Sequence, residues 1–177
     1  KSLFPMQEKR HGLQDVEERF RRRYLDVLMS PDVRDRFIAR SKTQAFLRSF
    51  LVSEGYLEVE TPILQPLAGG ATAEPFKTHH NALDMDIYLR IAPELYLKEL
   101  LVGGFNKVFE MGRNFRNEGI DVTHNPEFTM LEFYESYADA LKQEKTVEAM
   151  IRGVAGNVLG TLSFAYGDET IDLRAPF

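Results

Sequence analysis

Residues 113–137, RNFRNEGIDVTHNPEFTMLEFYESY, decide how this chain is read. They form two strand-like runs around a charged loop. Residues 107–115 mix β-branched and aromatic side chains and lead into Arg116, Asn117 and Glu118. Gly119 and the Asn125-Pro126 pair are turn signals, and the aromatic-rich run 127–137 follows. Strand side chains alternate faces, so Phe128, Met130, Glu132 and Tyr134 share one face while Thr129, Leu131, Phe133 and Glu135 share the other. Arg116 and Glu118 likewise project to one side. An arginine, two carboxylates, a histidine and an aromatic ring on one hairpin suit a charged ligand that carries a flat base. Arginine forks two hydrogen bonds onto a phosphate, and an aromatic face stacks on a purine. The plainer alternative is a hairpin with a solvated polar face.

Composition narrows the class. A chain of 177 residues with 44% hydrophobic residues has material for one domain's core, or for the larger part of one. The formal charge of −5 argues against a surface that binds nucleic acid all over. A local basic stripe remains at Lys9, Arg10, Arg19, Arg21, Arg22 and Arg23, where a solvated helix face is the simpler reading. The absence of cysteine excludes disulfides, thiolate metal sites and a cysteine nucleophile. No window approaches the ~18 apolar residues of a membrane span, so a cytoplasmic protein without a membrane partner is expected.

Outward from the hairpin, residues 1–14 read as a lead-in linker and 15–27 as a helix capped by Asp15. Ser30-Pro31-Asp32 is a strong helix start, and the stripe Val33, Phe37, Ile38, Phe46, Leu47, Phe50 and Leu51 carries that helix to Glu54, before Gly55 stops it. Residues 56–64 are strand-like, with Pro62 marking an edge. Residues 65–83 form a long loop, 85–92 a strand, and 94–102 a short helix opened by Pro93. A helix over 138–159 and a hairpin turning at Gly167-Asp168 complete the pattern. The fold class expected is α+β, an antiparallel sheet with flanking helices.

Single motifs are ambiguous alone. Gly69-Gly70 lacks the spacing of a phosphate loop and reads as a flexible turn. His79-His80 invites a metal reading, but adjacent side chains on an extended segment point opposite ways. Glu94 follows Pro93 and suits a first-turn acid. Glu132 on an aromatic strand is harder to explain. Buried there, its carboxylate needs a cation, either an internal one such as Arg90 or Arg113, or a ligand's ammonium. Tyr134, two residues on, shares its face.

The run Phe-Arg-Asn-Glu, a loop with His124, then Asn-Pro-Glu-Phe-Thr-Met-Leu-Glu-Phe-Tyr resembles motif 2 of the class II aminoacyl-tRNA synthetases, in the variant of the lysyl-tRNA synthetase family. HGLQDVEERFRRRYLD (11–26), GGATAEPFKTHHNALDMDIYLRIAPELYLK (69–98) and the motif-1-like GYLEVETPIL (55–64) agree with it. The resemblance weakens at ALKQEKTVEAMIRGVAG (140–156).

The resemblance implies an enzyme that activates lysine with ATP and transfers it to the 3′ end of lysine tRNA, working as a homodimer through the motif 1 region. It implies that Arg116 contacts the α-phosphate and stabilises developing charge, that His124 and Asn125 lie by the triphosphate and adenine, and that Phe128 stacks on adenine. Glu118 would sit beside either the adenine or the metal-bound phosphates. For lysine it implies a backbone group at Gly70, Glu94 at the α-ammonium, and Glu132 with Tyr134 lining the side-chain pocket. Nothing in 138–177 resembles motif 3, and the carboxylates that would hold Mg2+ are expected downstream, with no metal ligand in this chain. The division expected is therefore 1–29 as linker and helix after an anticodon-binding domain, and 30–177 as the N-terminal part of a catalytic domain. Two other readings stay open: a related ligase that attaches lysine to an elongation factor, and a non-catalytic dimerisation fragment. Ala92 in IAPEL and the segment 11–26 look like the synthetase.

Overall fold

The computed structural model describes residues 13–174, so the linker reading of 1–12, with Lys9 and Arg10, lies outside the described residues. The chain divides into two compact units, residues 1–47 with 148–177, and residues 48–147.

In the first unit Asp15 caps α1 (Val16–Arg21), its carboxylate accepting from the Glu18 amide at 2.8 Å. The single helix expected over 15–27 breaks at Arg22 and restarts as α2 (Arg23–Met29). Asp26 explains the use of the local arginines. It is fully buried and accepts from Arg19 Nε at 3.0 Å and Arg23 Nη1 at 2.6 Å. Arg21 pairs with Glu17 and Arg22 with Glu18, so the basic run is largely matched by acids. Helix α3 (Pro31–Ser53), whose residues from Arg48 on belong to the second unit, starts at the proline, as expected. Ser30 accepts the Arg34 amide through its carbonyl, at 3.2 Å, while its hydroxyl turns to Asp26. Helix α5 (Ala140–Val154) ends in a π-helical turn, Ala155–Leu159, closed by Gly160 at φ 74°. Within it, a Cβ at Gly153 would run into the Phe46 ring, so only glycine allows this approach. The hairpin β7 (Ser163–Tyr166) and β8 (Glu169–Asp172) turns at Gly167, as expected.

The second unit holds the hairpin that decides the fold. Strands β5 (Lys107–Phe115) and β6 (Glu127–Glu135) pair antiparallel in an unbroken register from Lys107↔Glu135 to Phe115↔Glu127. The expected strand over 56–64 does not form as one piece. It leaves β1 (Leu57–Glu58), parallel to β5, and β2 (Leu64–Gln65) in a second sheet. Pro62 lies between the two, where a missing N–H interrupts pairing. The long loop is shorter than expected, because β3 (Lys77–His80) pairs with β4 (Met85–Leu89) across a turn containing Asp84 at φ 47°. His79 thereby faces Asp86 at 3.4 Å, a neighbour that comes from strand pairing. Helix α4 (Glu94–Val102) follows Pro93. Leu51, Tyr56, Ile91, Leu97, Val108 and Phe109 are buried and form the core of this unit.

Arg90 ties the two sheets together. Its Nε donates to the Arg113 carbonyl at 2.9 Å, and its Nη1 pairs with Glu110 and meets Thr61 Oγ1 at 3.1 Å. The other oxygen of Glu110 accepts from the Thr61 amide and hydroxyl, at 3.1 and 2.6 Å. Both ionised groups are therefore paired and multiply hydrogen-bonded, the condition under which a buried ion pair survives. Gly112 makes room for it, since a Cβ there would collide with Arg90 Nη2.

Candidate active site

Cross-strand partners share a sheet face, and the register sets Val108 opposite Tyr134, Glu110 opposite Glu132, Gly112 opposite Met130 and Asn114 opposite Phe128. One face of the hairpin therefore carries Glu110, Asn114, Phe128, Glu132 and Tyr134; alternation alone had grouped Phe128, Glu132 and Tyr134, and the register adds Glu110 and Asn114.

At one end of it Tyr134 donates to Glu132 Oε2 at 2.9 Å. Burial pushes the Glu132 carboxyl up. The hydrogen bond from Tyr134 opposes that shift, and the charges of Glu94 and Glu110 add to it. Burial and Glu132 also push the Tyr134 phenol up. The internal cations considered for Glu132 are engaged elsewhere: Arg90 with Glu110, and Arg113 with Glu127 at 3.5 Å. Glu94 starts α4 and pairs with Lys98 at 2.5 Å. Gly70 lies against it in the left-handed region, at φ 84°. A Cβ on Gly70 would sit 2.9 Å from Glu94 Cβ and 3.3 Å from Ala92 Cβ, so the approach requires glycine. Gly70, Ala92, Glu94, Glu132 and Tyr134 thus make one acidic subsite.

At the other end, the Arg116 guanidinium lies over the Phe128 ring, 5.2 Å from its centroid. The Arg116 amide donates to the Pro126 carbonyl at 2.8 Å, which closes the hairpin end. Glu118 accepts from the Glu74 amide at 3.3 Å, and the Asn117 amide donates to the Glu74 carbonyl at 2.8 Å. The loop after Gly70 is thereby fastened to the hairpin loop.

His124 and Asn125 are exposed, and His124 is held through a residue the sequence reading passed over. Asp121 accepts from the backbone amides of Thr123 and His124 at 2.7 and 2.8 Å, and meets His124 Nδ1 at 2.7 Å. These bonds, the Thr123 amide first, keep the Asp121 carboxyl well below its usual range. The Asp-x-Thr-His spacing is an Asx-turn signal that could have flagged it.

Among the described residues no three His, Asp or Glu gather into a group that could hold a metal ion. No described helix is long and apolar enough to cross a membrane.

Arg116 over Phe128 at one end of this face, and Tyr134 bonded to Glu132 at the other, lie on the hairpin whose sequence resembles motif 2. Residues 15–177 match the family model for class II tRNA synthetases (D, K and N), and the chain belongs to that family. Relatives narrow the comparison. Over all 177 residues the chain is 59% identical to the lysine–tRNA ligase of Carboxydothermus hydrogenoformans, covering 36% of that protein. It is 56% identical to the lysine–tRNA ligase of Pseudomonas savastanoi pv. phaseolicola and 55% identical to that of an Azoarcus species, covering 35% of each. The chain thus spans about a third of the length of these curated relatives.

Proposed function

We propose that this chain forms the motif 1 and motif 2 part of a lysine–tRNA ligase, with residues 30–177 in its catalytic domain and residues 1–29 leading into it. The observation that carries the reading is the half-buried Glu132 carboxylate. Among the described residues it has no cationic partner within 4.0 Å, and it lies close enough to Glu94 to feel its charge. Lysine carries two ammonium groups, and this subsite offers two carboxylates. Glu94, next to the Gly70 backbone, would take the α-ammonium, while Glu132 and Tyr134 would take the side-chain ammonium.

ATP would lie along the hairpin. Phe128 stacks on the adenine, His124 and Asn125 face the triphosphate end or the base, and Glu118 borders the same loop. A lysine carboxylate oxygen attacks the α-phosphorus, the new O–P bond forms, and the bond to pyrophosphate breaks. Arg116 holds an α-phosphate oxygen and stabilises the charge that builds there. Positioning and electrostatics suffice for such a transfer, so no protein nucleophile is needed. The terminal adenosine hydroxyl of lysine tRNA then attacks the adenylate carbonyl and releases AMP. Pairing through the motif 1 segment would make the enzyme a homodimer, and a cytoplasmic enzyme is proposed.

The test is ATP–pyrophosphate exchange by the complete natural protein that carries this sequence, assayed with each amino acid in turn. Exchange should depend on lysine. Equal exchange with another amino acid, or none with lysine, would reject the assignment.

A further inference from the structure

Asn114 is 1% exposed, and among the described residues neither its Oδ1 nor its Nδ2 has a hydrogen-bond partner. Folds rarely leave a buried amide in that condition, and where they do a function often explains it. Arg116 Nε is also buried without a partner. Asn114 lies on β5 and Arg116 one residue past its end, where the Arg116 amide still pairs with the Pro126 carbonyl; two residues apart on extended backbone, their Cβ atoms are separated by about 6–7 Å on the same face. That gap is within the combined reach of an asparagine and an arginine side chain. An acceptor that lacks a donor therefore neighbours a donor that lacks an acceptor, and Phe128 stands directly across from the first.

The guanidinium now rests over the Phe128 ring, 5.2 Å from its centroid. This is the surface assigned above to adenine, so a stacked base and the guanidinium compete for it. We propose that Asn114 is a positioning residue for Arg116. When a nucleotide base takes the Phe128 ring, Arg116 Nε–H donates to Asn114 Oδ1. That bond fixes the plane of the guanidinium and leaves both Nη groups to fork onto a phosphate. Asn114 touches no reacting atom and acts only through Arg116. The inference rests on the reading of Arg116 and Phe128 as nucleotide-binding groups.

The experiment is pyrophosphate exchange by the complete natural protein and its Asn114→Leu, Asn114→Asp and Arg116→Ala variants, each with a thermal melt. Leucine matches asparagine in size and removes the orphaned polar atoms, so a merely structural Asn114 predicts a melt no lower and an unchanged rate. The proposal predicts a melt no lower, with kcat down about a hundredfold and KM for lysine nearly unchanged. Aspartate keeps the acceptor and should recover about tenfold of that loss. Parental kcat in Asn114→Leu, or equal losses in the leucine and aspartate variants, would overturn it. Should the leucine variant melt early, Asn114→Ala replaces it with the same expected rates. Parental exchange in Arg116→Ala would instead reject the underlying phosphate role. An inactive Arg116→Ala beside a fully active Asn114→Leu would reject Asn114's role alone.

Discussion

Tyr134 Oη donates to Glu132 Oε2 at 2.9 Å, and this phenol is the polar contact the fold gives that carboxylate in place of a cation. Burial raises the carboxyl's affinity for a proton in the folded state, with Glu94 and Glu110 adding to the effect. The folded protein therefore binds more protons than the unfolded chain just above the ordinary carboxyl range, and stability falls as pH rises through that window. Glu132→Gln should raise Tm at pH 7, and the gain should shrink as pH drops to where the parent's carboxyl is protonated. In the complete protein the same variant should lose about 2–5 kcal/mol in lysine use, as for one partner of a buried charged pair, with KM for ATP little changed. Equal losses for both substrates would make Glu132 structural.

Glu135, on the opposite face of β6, is the reverse case. Burial alone would push its carboxyl up, but hydrogen bonds from Lys142, Tyr56 and Lys107 outweigh this and hold it below the usual range. Burial, with Glu135 contributing, also pushes the Tyr56 phenol up to about 12. A depressed carboxyl contributes stability that is present at neutral pH and is lost as pH falls through its folded value. Glu135→Ala leaves two lysines and a tyrosine without their shared acceptor and should cost about 3 kcal/mol, the low end for a broken buried pair because Lys142 is half exposed. Urea titrations at pH 7 and pH 3 check this, since the parent and variant curves should converge at the lower pH.

Gly112→Ala should be costly for a glycine on a strand. Its methyl would displace Arg90 Nη2 and loosen the pair with Glu110, which in turn holds the Thr61 backbone. Overpacking of this kind costs about 1–3 kcal/mol. A melt within experimental error of the parent would show that Arg90 has another place to go.

The two strands of the hairpin, the helix starts at Asp15, Pro31 and Pro93, and the α+β class were legible in the sequence because each rests on local chemistry: alternation, capping and fixed φ. The same alternation placed Phe128, Glu132 and Tyr134 on one face. Strand β3 was not legible, because KTHH is polar on both faces and only its pairing with β4 makes it a strand. The Arg90–Glu110–Thr61 cluster joins three distant segments, and nothing local to any of them signals the others. Asp26 was hidden for a different reason. Its arginines looked like a solvated stripe until the break at Arg22, next to which Arg19 and Arg23 both reach one carboxylate.

Val52 near the end of α3 and Leu57, Ile63 and Leu64 of the motif 1 segment are all between 42 and 58% accessible, where a lone chain gains nothing from apolar side chains. A second copy covering them is the proposed use. Sedimentation equilibrium of the complete protein at tens of micromolar should give a dimer, and Leu57→Glu with Leu64→Glu should give a monomer. A parent that sediments only as monomer removes this part of the proposal.

The last prediction concerns what these 177 residues do by themselves. In the function proposed above, Arg116, His124 and Phe128 would supply one side of an ATP site. In the resembled family a glycine-rich wall and an opposing arginine complete it, and residues 138–177 show nothing similar. Loss of one well-placed charge-stabilising group costs about 2.7–4 kcal/mol in the transition state. Each 1.36 kcal/mol is tenfold in rate, so lysine-dependent pyrophosphate exchange should run at least about a thousandfold below that of the intact Carboxydothermus relative. Weak ATP binding should survive and depend on Arg116, because the Phe128 ring and the Arg116 guanidinium lie together at one end of the hairpin. Isothermal titration of the chain with ATP, repeated with Arg116→Ala, measures the binding. Exchange by the same two samples measures the chemistry, with the variant as a control for contaminating host enzyme. Turnover near that of the intact relative, lost in Arg116→Ala, would mean that this third of the length already holds a complete site, and the one-sided reading of it would fall.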